Sequence, residues 1–172
     1  MRRAATLLLL SAVACARGPS GPSAQPTAVF PLRATGLDTA GAIVESLQGT
    51  VHVFPDEVRI VLSEGVARLG DTPTFRAMGL SGGLGYRHAN GGWDFRRQTE
   101  VVPIRDIPHR GDTLTGTLTF RIRGTSGLDL KEHWVIVQQH GHRRDASTGL
   151  WHQVTRPLNS APDVFRGVAG QP

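Results

Sequence analysis

Cysteine and lysine each occur once in this 172-residue chain, as Cys15 and Lys131. One cysteine excludes an intramolecular disulfide, so the folded part must be held together by its core. Long apolar runs are missing too. The longest stretch, Ala4 to Ala14, falls well short of the roughly 20 residues that span a bilayer as a helix. Arginine supplies the remaining positive charge, scattered and at most in pairs such as Arg96-Arg97 and Arg143-Arg144. No basic stripe interleaved with aromatic residues is present, which weighs against nucleic acid as a partner. Attraction to acidic headgroups or glycans is open but unspecific. No long internal repeat is evident.

What is present begins at the N-terminus. Arg2 and Arg3 precede the short apolar stretch, small residues follow as "SAVA", and Cys15 comes next. This order resembles the signal peptide and lipobox of bacterial lipoproteins. The resemblance covers residues 1–15 only. It implies that residues 1–14 are removed and that Cys15 is lipidated and anchors the chain to a membrane. Several acyl chains on one cysteine meet the need for more than one anchoring signal. Ala16 follows the cysteine where an Asp would signal retention, so the resemblance implies the outer membrane, if the organism has one. The alternative is an ordinary secretory signal cut at "AVA", which makes the protein secreted or periplasmic. Residues 15–28, "CARGPSGPSAQPTA", are rich in Gly, Pro and Ser and read as a solvated tether. Residues 29–172 have the length of one domain.

Hydrophobic periodicity then sets the fold class. Leu37, Ala40, Ile43, Val44 and Leu47 have helical spacing, against which Gly36 and Gly41 count. From Glu45 onward the period is two. In "TVHVFPDEVRIVL" a turn at Pro55-Asp56 sets Val53 opposite Val58 and Val51 opposite Ile60, all on one face. In "LGYRHANGGWDFRR" a turn at Asn90-Gly91 pairs His88 with Trp93, Tyr86 with Phe95 and Arg87 with Asp94. Leu114, Leu118, Phe120 and Ile122 alternate with a threonine face. The continuous run Trp134 to Val137 reads as a central strand covered on both faces, "LWHQVTRPL" as the last strand, and the tail from Asn159 as irregular. The expectation is an all-β domain of seven to nine strands. It is an antiparallel β-sandwich, immunoglobulin-like or similar, with a β-barrel as the alternative.

Three groups of residues are candidates for chemistry. A loop over Arg143 to Gly149 would set His140 opposite His152 and put His142 on the same face. Three imidazoles so placed can hold zinc or copper with one position open; the plainer reading is a solvated strand end. "GLSGG" around Ser81 matches the G-x-S-x-G pattern of serine hydrolases. That pattern needs a strand, a tight turn and a helix, whereas the sequence that follows reads as a hairpin. Tyr86, His88, Trp93 and Phe95 form either a binding platform for a sugar or protein, or part of the core. No catalytic set is assembled. The expectation is a lipid-anchored envelope protein acting as a non-enzymatic binding or structural module, with another envelope protein or a glycan as partner and no cofactor. The alternatives are a small zinc- or copper-binding protein using the three histidines, and a hydrolase around Ser81.

Overall fold

The computed structural model describes residues 25–37, 41–89, 93–160 and 164–166. The chain is all-β and antiparallel. Its strands are β1 (Ala28–Leu37), β2 (Ile43–Val53), β3 (Glu57–Val66), β4 (Phe75–Arg87), β5 (Trp93–Gln98), β6 (Val102–Pro103), β7 (His109–Arg110), β8 (Thr113–Leu114), β9 (Leu118–Arg123), β10 (Trp134–Arg144) and β11 (Trp151–Ser160). Single 3-10 turns lie at Ile104–Asp106, Leu130–Glu132 and Val164–Arg166. Three of the strands are two-residue pairings, which leaves eight long ones within the expected range.

The hydrogen-bonded order is β5-β4-β10-β11-β1-β2-β3-β8-β7, with β9 also on β3 and β6 also on β4. The path is one continuous ladder, and the sheet curls so that β4 lies across the core from β3 and β9. Gly82 on β4 shows how close they come. A Cβ there would stand 2.7 Å from Phe120 Cβ and 3.0 Å from Ile60 Cδ1, so only glycine fits. The two layers are halves of one rolled sheet, sandwich-like in section and barrel-like at the bend.

The β2–β3 hairpin has the expected register, Val53 with Val58 and Val51 with Ile60. Val51, Val58, Ile60 and Leu62 are fully buried, as are Leu80, Leu84, Val135 and Val137. Each such side chain stabilises by about 1.5–3 kcal/mol relative to exposure. On β9, Leu118, Phe120 and Ile122 point inward and the residues between them outward. β10 is central, between β4 and β11, and is buried from Val135 to Gly141.

Four expectations are corrected. The helical spacing around Leu37 is not used: residues on both sides of 38–40 are extended, because β1 and β2 pair along their whole lengths. In the β4–β5 hairpin, Leu84 pairs with Arg97 in the expected register, but Gly85 pairs with Phe95, Tyr86 with Asp94 and Arg87 with Trp93. A bulge at Arg96 slips the turn end by one residue and dissolves the aromatic cross-strand pair. In β10–β11, His142 pairs with Gln153 and Arg143 with His152. Here Asp145 accepts hydrogen bonds from the Ser147 and Thr148 amides and hydroxyls and closes a turn over 145–150, one residue shorter than expected and set further along the chain. The tail is not wholly irregular. Val164 and Phe165 are buried, and the Phe165 ring meets Phe30 edge to face at 5.8 Å.

The two ends of the roll differ. The end near the β2–β3 turn is filled by Phe30, Leu128, Leu130, Val164 and Phe165. Toward the other end the inward positions become polar: Gln139 and Arg143 follow Val135 and Val137 on β10, Arg156 precedes Leu158 on β11, and Glu45 precedes Leu47 on β2.

Candidate functional site

The polar end of the roll holds a cavity of about 540 Å³, lined by Leu37, Phe75 and Val154 and by Arg68, Arg143 and Arg156. Its size is within the range of small-molecule sites. Phe75 is seated by a second close approach: a Cβ on Gly141 would stand 2.4 Å from its ring. Glu45, 2 % exposed, anchors the charged side. Arg156 Nη1 lies 2.6 Å from Glu45 Oε2, and Arg156 Nη2 donates to the Leu37 carbonyl at 2.5 Å. The Arg68 amide donates to Glu45 Oε1 at 2.9 Å, while the Arg68 guanidinium Nε stands 3.9 Å from the same oxygen. Gln139 Nε2 donates to the Arg68 carbonyl at 2.6 Å.

These contacts fix the chain that follows β3 across one side of the cavity. The Leu69 and Gly70 amides donate to Asp112 Oδ1 at 3.1 and 2.8 Å, and the Ala67 amide to the Asp112 carbonyl at 2.9 Å. Three guanidinium groups therefore line a cavity built over one carboxylate, and that carboxylate is engaged by Arg156. Among the described residues Arg143 forms no ion pair. Sequence reasoning missed this site. Its signal was Glu45 itself, an acid in phase with Leu47 and Val51 on the core face.

A second polar group lies on the outer face of β4 and β10. Ser81 Oγ is 2.8 Å from His140 Nε2, and His140 Nδ1 is 3.3 Å from Thr155 Oγ1. Gln98 Nε2 donates to Ser81 Oγ at 3.1 Å and to Gln138 Oε1 at 2.5 Å. Burial holds the His140 pKa below the ordinary imidazole value of 6.5, so the ring is neutral at neutral pH. The serine–histidine contact has the reach of a nucleophile and its base. However, Ser81 is fully buried in mid-strand, paired with Gln138, and does not stand on a strand-to-helix turn. The group satisfies buried polar atoms on a strand that is covered on both faces.

The other candidates fall as follows. Cys15 lies outside the described residues. His140 faces Thr155 across the ladder, and His152 pairs with Arg143, which puts His152 on the opposite face from His140 and His142. Among the described residues no three His, Cys, Asp or Glu side chains are placed to share an ion. Tyr86 and Phe95 are half-buried, and His88 is exposed beyond the end of β4. Tyr86 packs on buried His133 with ring centroids 4.4 Å apart, beneath the Arg96 guanidinium. Trp93 pairs with Arg87 by its backbone; its side chain lies outside the described residues. Compared with known protein families, curated proteins and solved structures, the chain matches none.

Proposed function

We propose that this chain is a lipid-anchored protein of the bacterial envelope whose rolled β-domain acts as a non-enzymatic binding module. The anchor reading rests on the lipobox-like residues ending at Cys15 and on the Gly-, Pro- and Ser-rich tether after them. One observation carries the binding reading. One end of the roll is filled by apolar side chains, while the other keeps a cavity of about 540 Å³ walled by both apolar and charged groups. A domain with only a structural role has no physical need to keep polar side chains pointing inward at one end. Burying them costs free energy unless each is paired.

The two parts are tested separately. In an expressing bacterium the wild-type chain takes up labelled palmitate and sediments with membranes, and Cys15→Ser loses both properties; a Cys15→Ser chain that still takes up label removes the anchor. For binding, the full chain carrying Cys15→Ser is titrated with N-phenyl-1-naphthylamine, a neutral apolar fluorophore. The expected result is enhanced fluorescence that a Val154→Trp substitution, which fills the cavity, abolishes at unchanged secondary structure. Enhancement that survives the filled cavity places the probe elsewhere and overturns the binding reading.

A further inference from the structure

Resting on the reading of the cavity as a binding site, we propose that its ligand is a small amphiphilic anion, with an apolar body on the Leu37, Phe75 and Val154 side and a carboxylate-type head on the arginines. The charge count points to an anion. Arg156 is neutralised by Glu45 at 2.6 Å, and Arg68 reaches the same carboxylate only at 3.9 Å. Arg143 pairs with no acid among the described residues. A guanidinium presents a rigid fork that matches the two oxygens of a carboxylate or phosphate, so Arg143, exposed and without an acid among the described residues, is the group on the cavity lining for an anionic head, with Arg68 lining the same cavity.

The apolar body follows from volume and from the rim. Water occupies about 30 Å³ per molecule, so a cavity of about 540 Å³ is many times larger than an anionic head alone. Leu37 lines the cavity at 45 % exposure. Ile43, its cross-strand partner, and Val44 are also exposed. Leu37, Phe75 and Val154 on the same lining as the arginines match a molecule that has both characters.

Isothermal titration of the full chain carrying Cys15→Ser, with probes below their micelle-forming concentrations, tests this. The probes are dodecanoate, dodecyl phosphate, dodecanol and inorganic phosphate. Dodecanoate binds, dodecanol binds at least about tenfold more weakly, which is about 1.4 kcal/mol, and inorganic phosphate alone does not bind measurably. Arg143→Gln, at an exposed strand end, weakens dodecanoate by about tenfold and leaves dodecanol unchanged. Tighter binding of dodecyl phosphate than of dodecanoate identifies a phosphate head and keeps the proposal. Equal affinity for dodecanol and dodecanoate, or an Arg143→Gln chain that binds dodecanoate as well as before, overturns the anion inference while the binding module stands. If no amphiphile binds and the naphthylamine probe fails as well, both fall.

Discussion

At one end of the rolled sheet Phe30, Val164 and Phe165 close the interior with apolar side chains; at the other, Glu45, Gln139 and Arg156 occupy the same inward-facing track. The strands are the same and so is the two-residue alternation. Only the residue type at the inward positions changes, within a step of two: Val137 to Gln139, Leu158 to Arg156, Leu47 to Glu45. Apolar burial is favourable without any particular partner. A buried ion pair, in contrast, roughly breaks even against its own desolvation. The closed end is therefore where stability comes from, and the open end is where arrangement is held at little net gain. That division is what a binding domain needs, and three substitutions test it.

The largest effect is expected at the closed end. Phe165→Ala removes a ring that is 6 % exposed and packed edge to face on Phe30, and a buried Phe→Ala change costs about 3 kcal/mol or more. Urea unfolding should show that loss, while naphthylamine binding at low urea stays at the wild-type level. A loss of binding with the fold intact would mean that the two ends are coupled, and the division would fail.

Glu45→Ala is the matching change at the open end. It leaves the Arg156 guanidinium without its counter-ion and the Arg68 amide without its acceptor. Truncating one partner of a fully buried pair costs about 3–5 kcal/mol, but the Arg156 side chain is 28 % exposed and water reaches it, so about 2 kcal/mol is expected. Adding Arg156→Met should recover part of the loss. If the single change costs more than Phe165→Ala in the same urea experiment, the charged end is holding the fold and the assignment of roles is reversed.

How much of this was legible in the sequence depended on whether turn and alternation agreed. They agree in β2–β3, where a short turn at Pro55-Asp56 and two apolar sets leave one register open, and the structure has it. They agree in β9 and in the doubly covered β10. The β4–β5 register was half legible: it is right at Leu84 and Arg97 and lost beyond the bulge at Arg96, which no alternation announces. The β10–β11 register was lost because the Asp145 carboxylate organises the turn through hydrogen bonds to Ser147 and Thr148, and an odd offset reverses every facing side chain. The same turn interactions, the Ser147 hydroxyl first, hold the Asp145 carboxyl well below the usual carboxylate range. The cavity was not legible. It depends on the roll, and the roll depends on Gly82 admitting Phe120 from a strand far along the chain.

The smallest of the three effects concerns acid, and it again separates the ends. Two histidines among the described residues are buried: His133, beside the Leu130–Glu132 turn near the closed end, and His140, on the outer face of the half of the sheet nearer the cavity, bonded to Ser81 and facing Thr155. Burial keeps the His140 imidazole neutral in the folded chain at pH values where the unfolded chain protonates it, beginning near 6.5. Below that value the unfolded state binds more protons than the folded state, so stability rises with pH and falls on acidification. Melting temperature should therefore drop between neutrality and about pH 5, the window in which an imidazole titrates. His140→Gln, which keeps a hydrogen-bonding group beside Ser81 but cannot be protonated there, should flatten that slope while costing some stability at neutral pH. A slope identical in the two chains would assign the acid sensitivity to other groups and leave the polar half no more pH-sensitive than the apolar one.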